Sequence, residues 1–286
     1  YPYESVKTER KLEFFDCAEA PCMSECPAGQ EIPRYLNYVA TGDLDKAYQT
    51  VLATNPFPNV QGVVCDHMCQ SKCTRINYEK PLLIREIKRY IADKFNRDLP
   101  KPSDANGIKV SIIGGGPSGL SCAHFLALSG FEVELYEAKG FLGGMAADGI
   151  PVFRLDDERL KKDVDAILAL GVKAHLSTRI TKDLFNKLQA TSDYLYIAVG
   201  AQESTPLNIS DIDSEGVFDQ LSFLSKVRKN EAVQKAEKII VIGAGNSAMD
   251  AARTARRLVG DSGEVTIVYR RTRREMPCDP EEVRGA

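Results

Sequence analysis

Six cysteines stand in two triplets in the first quarter of the chain. Cys17, Cys22 and Cys26 have the spacing C-x4-C-x3-C, and Cys65, Cys69 and Cys73 have C-x3-C-x3-C. Closely spaced thiolates are soft ligands suited to iron–sulfur clusters. Structural zinc is a rival reading, but zinc favours C-x2-C pairs and neither triplet has one. Three disulfides are a second rival. They belong to oxidising compartments, and the polar, acidic start Tyr1-Pro2-Tyr3-Glu4 is no secretory signal. Clustered thiols without such a signal point to metal or redox use in a reducing, cytoplasmic compartment. His67, between Cys65 and Cys69, reads as a capping or packing residue before a ligand. Cys122 reads as a small core residue, and Cys278 carries no assignment.

The second kind of chemistry is phosphate binding. Val110-Ser111-Ile112-Ile113-Gly114-Gly115-Gly116-Pro117-Ser118-Gly119 reads as a strand, a tight turn and a helix start. Gly114 permits the turn, Gly116 admits a pyrophosphate close to the backbone, and Gly119 lets helix and strand pack. Pro117 and Ser118 open the helix, whose first N–H groups and dipole favour an anion. Glu137, after the strand Phe131–Tyr136, is placed to take ribose hydroxyls.

Gly243-Ala244-Gly245-Asn246-Ser247-Ala248 repeats this turn, with Ala248 in the third small position. The next strand ends not in an acid but in Tyr269-Arg270-Arg271-Thr272-Arg273-Arg274. A basic cluster there, with Arg270, Arg271 and Arg274 foremost, suits a 2′-phosphate, hence NADPH over NADH. No cysteine lies between Cys122 and Cys278, which argues against a C-x-x-C disulfide reductase.

These residues need scaffolds. Glu31–Ala40, Asp43–Thr54 and Pro81–Phe95 carry apolar residues at helical spacing, with Pro81 at an early helical position. Residues 1–100 therefore read as an all-α domain, followed by a linker over Pro100–Gly107. The pattern then becomes α/β. It has strand 108–113, helix 117–129, strand 132–136, helix Asp156–Leu170, strand Val172–Leu176 and a buried strand Tyr194–Ala201 ending at the Gly200 turn. A second βαβ unit follows with strand Lys238–Ile242, helix 246–259 and strand 264–269. The domain reading is 1–100 helical iron–sulfur, 107–205 first dinucleotide part and 206–286 nicotinamide part. Such a parallel sheet needs further strands to bury its faces, and the chain starts without Met, so an excised piece of a longer protein is expected.

The chain has 286 residues, 43% of them hydrophobic, enough for ordinary cores. A net charge of −3 gives no footprint for nucleic acid or an anionic membrane. No apolar run approaches the roughly 20 residues that span a bilayer.

The order of parts resembles the iron–sulfur flavoprotein module of the glutamate synthase small subunit and the N-terminal half of dihydropyrimidine dehydrogenase. The matching stretches are Cys17–Pro27, Gly62–Cys73, Gly114–Gly119, Ile150-Pro151-Val152-Phe153-Arg154-Leu155, Gly243–Asp250 and Tyr269–Pro277. Cys65–Arg75 with Ile84–Lys88 looks most like the branch named for a selenate reductase subunit. The resemblance implies FAD at the first turn, with Gly144 and Arg154 nearer the flavin and Gly200 where the chain leaves the flavin domain. It implies two [4Fe-4S] clusters, one on Cys17, Cys22 and Cys73, the other on Cys26, Cys65 and Cys69. It also implies an electron-transfer enzyme that passes electrons from NADPH to a partner reductase or synthase subunit, with no catalytic side chain named. The chain departs from the pattern at Phe14 and Lys88, which stand where a fourth cluster ligand would be; neither is an ordinary iron ligand. A docking subunit without turnover and a zinc-stabilised NADPH module are the alternatives.

Overall fold

Short helices wound around one apolar core make up the cysteine-bearing part of the chain. The computed structural model describes residues 19–94, 100–205, 207–233 and 236–286. The chain separates into two units, 1–100 and 101–286. The first holds α1 (Pro21–Ser24), α2 (Ile32–Ala40), α3 (Leu44–Leu52), α4 (Pro58–Val64), α5 (Met68–Ser71) and α6 (Ile84–Lys94). Ile32 and Tyr35 from α2, Ala47, Tyr48, Val51 and Leu52 from α3, and Ile84 and Ile91 from α6 close around Cys69. Asp43 caps α3 by accepting the Lys46 N–H at 3.1 Å. A Cβ on Gly62 would lie 2.9 Å from the Arg89 Cα, so glycine lets α4 and α6 cross closely.

Two readings of this unit change. Pro81 lies outside α6, which starts at Ile84. The two helices read between the triplets, over Glu31–Ala40 and Asp43–Thr54, are joined by a third, because Pro58 opens α4 at its first turn.

The second unit is α/β. Its elements are β1 (Lys109–Ile113), α7 (Pro117–Leu128), β2 (Glu132–Tyr136), α8 (Met145–Asp148), α9 (Asp157–Leu168), β3 (Lys173–His175), α10 (Lys182–Thr191), β4 (Tyr194–Ile197) and α11 (Gln220–Arg228). Then come β5 (Lys238–Ile242), α12 (Asn246–Val259), β6 (Glu264–Val268) and α13 (Pro280–Gly285). The first four strands form one sheet in the order β3-β2-β1-β4, and β5 pairs with β6. All pairs are parallel, with Ile112 beside Leu135 on one side and Tyr196 on the other. Leu120, Ala123 and Ala127 of α7 and Val110, Ile112, Val133 and Leu135 of the sheet are buried.

β4 corrects the expectation of a buried strand: Tyr194 is 63% exposed and Ile197 62%. Its apolar run suits a central strand, yet it stands at the sheet edge, and among the described residues no strand covers its outer side. The expected linker is likewise no free spacer. The Ser103 N–H donates to the Leu128 carbonyl and the Asn106 N–H to the Gly130 carbonyl, both at 2.9 Å. Gly130, at φ +82°, has room only for hydrogen, since a Cβ would meet the Asp104 carbonyl oxygen at 2.2 Å. Among the described residues no helix is long and apolar enough to cross a membrane.

Candidate cofactor sites

At the first glycine turn, Gly114 has φ +111°, and its N–H donates to the Tyr136 carbonyl at 2.8 Å. A Cβ there would lie 2.3 Å from the Ala198 carbonyl oxygen. On Gly119 a Cβ would lie 1.9 Å from the Gly114 carbonyl oxygen. These two glycines are demanded by the packing of strand, turn and helix. Gly116 is different. It is the N-cap of α7 in extended backbone (φ −79°, ψ −178°), and a Cβ on it would find its nearest neighbour only at 3.7 Å. Neither conformation nor packing requires glycine at Gly116.

The loop after β2 closes over this turn. The Gly143 N–H donates to the Gly115 carbonyl at 2.8 Å. Gly144, at φ +52°, has room for no Cβ, which would lie 2.7 Å from the Gly116 Cα. The cradle is thus floored by backbone. Glu137 is buried at its edge, and its carboxylate accepts the Gly115 N–H at 2.7 Å and the Lys139 N–H at 2.8 Å. Pro117 and Ser118 are exposed, and the Ser118 hydroxyl meets the Tyr196 hydroxyl at 3.0 Å. Gly200 sits in an exposed turn at φ +68° beyond β4. A side-chain-free cradle at a helix N-terminus fits a pyrophosphate.

The second turn repeats the geometry more openly. Gly243 has φ +132°, and Gly245 is the extended N-cap of α12 with nothing within 4 Å of a would-be Cβ. Ser247 is exposed. Asn246 is turned to structural use, its side-chain oxygen accepting the Asp279 N–H at 2.8 Å. Cys278 is buried beside it, its N–H reaching the Ala244 carbonyl at 3.2 Å. No sequence signal marked Cys278 and Asp279 as partners of the turn.

Arg270, Arg271 and Arg274 are exposed and have no ion-pair partner among the described residues. The turn that carries them is nonetheless ordered. Thr272 and Glu275 form a capping box, and the Tyr269 hydroxyl donates to the Glu275 carbonyl at 3.0 Å. Three unpaired guanidinium groups on a braced turn after β6 fit an anion such as a 2′-phosphate.

Arg154 lies in an ion-pair network. It bonds Asp250 at 2.7 Å and Glu282 at 3.0 Å, and Arg253 bonds Glu282 at 2.7 Å. Burial raises the Asp250 carboxyl above its usual range, and Arg154 opposes that. The Phe153 ring packs under the guanidinium groups of Arg253 and Arg257, 4.7 and 3.8 Å from its centre. Arg228 bonds the Ile150 and Leu155 carbonyls and the Asp157 carboxylate. Residues 150–157 therefore tie the first βαβ region to α11, α12 and α13.

In the helical unit the five described cysteines of the triplets are all free thiols. Cys17 lies outside the described residues, as does Phe14. Cys22 is in α1, Cys26 just after it, Cys65 at the end of α4, Cys69 in α5 and Cys73 just after α5. Burial, then the charges of Cys65 and Cys26, push the Cys69 thiol up to about 12, while Lys88 pulls it down. Burial also raises Cys22, whose nearest thiol influence is Cys73 and then Cys26. Burial, then the thiols Cys69, Cys26, Cys22 and Cys65, raise the Tyr35 hydroxyl well above its usual range. His67 adopts a left-handed conformation (φ 42°), and its backbone N–H donates to the Cys65 sulfur at 3.4 Å. The Arg85 N–H bonds the Gln70 side chain at 3.0 Å, tying α5 to α6. Soft sulfur donors, three of them in or against one apolar core, fit a metal cluster.

Residues 108–285 match the family described as pyridine nucleotide-disulphide oxidoreductase. The chain belongs to that family. Residues 5–99 match the family described as dihydroprymidine dehydrogenase domain II, 4Fe-4S cluster. The NADPH-Fe(3+) oxidoreductase subunit beta of Geobacter sulfurreducens is 36% identical over 96% of this chain and 42% of its own length. The NADP(+)-dependent formate dehydrogenase subunit beta of Moorella thermoacetica is 34% identical over 93% and 42%. The small chain of Escherichia coli glutamate synthase [NADPH] is 30% identical over 94% and 61%. The chain thus spans less than two thirds of each of these relatives. Among solved structures, Mycobacterium tuberculosis FprA in complex with NADPH matches 62% of this chain and 46% of its own, with TM-score 0.54 and 20% identity. That likeness establishes the fold of the α/β unit.

Proposed function

We propose that this chain is the electron-input module of an NADPH-dependent flavin and iron–sulfur oxidoreductase. The observation that carries the reading is the middle glycine of each turn. Gly116 and Gly245 cap α7 and α12 in backbone that any residue adopts, with no packing neighbour among the described residues closer than 3.7 Å to a would-be Cβ. Glycine at both positions is explained by ligand phosphates approaching the helix ends. Glu137 beside one turn and Arg270, Arg271 and Arg274, without ion-pair partners among the described residues, beyond the other support FAD at the first and NADPH at the second.

When bound, FAD would supply hydride acceptance from NADPH and the clusters one-electron carriage. The residues of the chain bind and orient. Gly114, Gly116 and Gly119 shape the first turn, with Pro117 and Ser118 at the helix start, Gly144 over the cradle and Gly200 at the domain exit. Gly243, Gly245, Asn246 and Ser247 shape the second turn. Arg154 holds residues 150–155 against α12. Cys22 and Cys73, with Cys17, are assigned to one cluster, and Cys26, Cys65 and Cys69 to the other. The domain limits 1–100, 107–205 and 206–286 follow the same assignment.

The electrons would leave to a partner reductase or synthase subunit in the cytoplasm; two of the relatives are named as beta subunits. A selenate-reductase-like acceptor is the finer proposal, supported by the Cys65–Arg75 and Ile84–Lys88 stretches. The test is anaerobic addition of NADPH to the chain with iron, acid-labile sulfide and flavin counted beforehand. Bleaching of the flavin absorbance with NADPH, and much less with NADH, is the expected result. Flavin that stays oxidised leaves a docking subunit without turnover, and zinc without iron leaves a zinc-stabilised NADPH module.

A further inference from the structure

α6 turns Ile84, Lys88 and Ile91 to the interior, at positions i, i+4 and i+7 of one helical face. Ile84 is 2% exposed, Ile91 1% and Lys88 7%. The two isoleucines belong to the core that also contains Cys69 and Tyr35. A lysine in such a stripe is out of place, since lysines are almost never this buried unless paired. No carboxylate pairs with Lys88 among the described residues; its neighbour in sequence, Glu86, is bound by Arg85 at 2.9 Å. The core into which this face of α6 packs is the one that holds Cys69, with Cys22 and Cys26 packed against it.

An ammonium held in a core without a partner charge is unfavourable. Neutral thiols do not compensate it, whereas thiolates bearing an iron–sulfur cluster, with its net negative charge, do. We propose that Lys88 is the buried counter-charge of the cluster on Cys26, Cys65 and Cys69, standing beside that cluster without ligating its iron. This rests on the cluster assignment above. The consequence is electrostatic. A fixed positive charge in a low-dielectric core favours the state carrying one more electron, so Lys88 raises the potential of this cluster relative to a neutral residue in its place. Tyr35, buried on the opposite helix of the same core, carries no charge to offset it.

The experiment compares the chain with its Lys88→Met and Lys88→Arg variants, all isolated anaerobically. Iron and acid-labile sulfide are counted first, then cluster potentials are read by EPR-monitored redox titration. Lys88→Met is expected to make one-electron reduction of one cluster at least tenfold less favourable, about 59 mV lower, and Lys88→Arg to stay with the wild type. Iron lost from Lys88→Met but kept in Lys88→Arg also supports the proposal, since charge and not a nitrogen ligand is then required. Full iron with an unchanged potential in Lys88→Met overturns the counter-charge and leaves the cluster assignment standing. Equal iron loss from both variants overturns it in favour of ligation. A wild-type chain without iron or sulfide overturns the cluster assignment itself. A cluster-independent check is the melting of metal-free protein. There Lys88→Met is expected to melt higher than the wild type, because it removes a buried charge that then has no carboxylate partner among the described residues, and a lower melt counts against the proposal.

Discussion

On Gly119 a methyl group would lie 1.9 Å from the Gly114 carbonyl oxygen; at the matching place in the second turn, Ala248 carries that methyl at an ordinary 3.6 Å from a would-be Cβ on Gly243. Counted from the first glycine of each turn, Leu120 and Met249 fill the same buried place, and so do Ala123 and Ala252. One helix–strand design therefore occurs twice, tightly in the first unit and loosely in the second. The first turn is pressed from outside by Ala198 and by the Gly143–Gly144 loop. Around the second, Gly245 meets nothing. Glycines fixed by packing report on the fold, and glycines facing open space report on a ligand.

Substitution at these glycines should separate the two kinds. Gly119→Ala forces backbone against backbone and is expected to have the largest effect, with loss of folded α/β unit or a melting point lowered by many degrees. Ala248→Gly in the looser turn should cost only about 1 kcal/mol, the helix propensity difference. Gly116→Ala and Gly245→Ala should melt like the wild type while losing FAD and NADPH, respectively. Thermal melts with flavin counting and NADPH titration distinguish these outcomes, and a Gly245→Ala protein that binds NADPH normally would break the comparison.

Ten residues after the first glycine the helices carry His124 and Arg253. Arg253 is charged and paired with Glu282 at 2.7 Å. His124 is 4% exposed with both ring nitrogens unpartnered, and burial lowers it to about 4. The unfolded chain binds a proton to this histidine at a pH where the folded chain does not. Its neutral form thus favours folding fully above pH ~6.5, and that contribution falls away as the pH drops towards 4, by about 3 kcal/mol in all. Melting across this range should show a loss in the wild type that is reduced in His124→Leu; equal pH dependence in both would sink the assignment.

The narrowest expected effect is on cofactor choice. Replacing Arg270, Arg271 or Arg274 singly by Ala should weaken NADPH binding about tenfold to a hundredfold where that guanidinium meets the phosphate, roughly the 1.5–3 kcal/mol of a hydrogen bond to a charged group. NADH binding should not change. Loss of both nucleotides together would place these arginines in the fold and not at a 2′-phosphate.

Much of the α/β unit was legible because its signals are local. β2, β5 and α12 fall where the pattern puts them, since strand, glycine turn and helix start lie within a dozen residues. α4 was hidden by Asn55-Pro56-Phe57-Pro58-Asn59, where turn chemistry and a helix-opening proline look alike. β4 was misjudged because a run of apolar residues states an appetite for burial, not whether a neighbour satisfies it. Arg154 suggested a place near the flavin through resemblance, while its bond to Asp250 spans 96 residues and has no trace in local pattern.

Composition, spacing and motif by themselves determined that this chain has a thiol-rich helical part, two dinucleotide turns, an acid after one and arginines after the other. Those properties depend on covalent order and on backbone geometry over short distances. Only the tertiary structure decided that Gly116 and Gly245 are spared by packing while Gly119 is not, that Cys278 and Asp279 brace the second turn, and that Lys88 is buried on the face of α6 whose isoleucines pack in the core with Cys69. Each of these depends on which distant atoms share a few ångströms of low-dielectric interior, and chain order does not specify that.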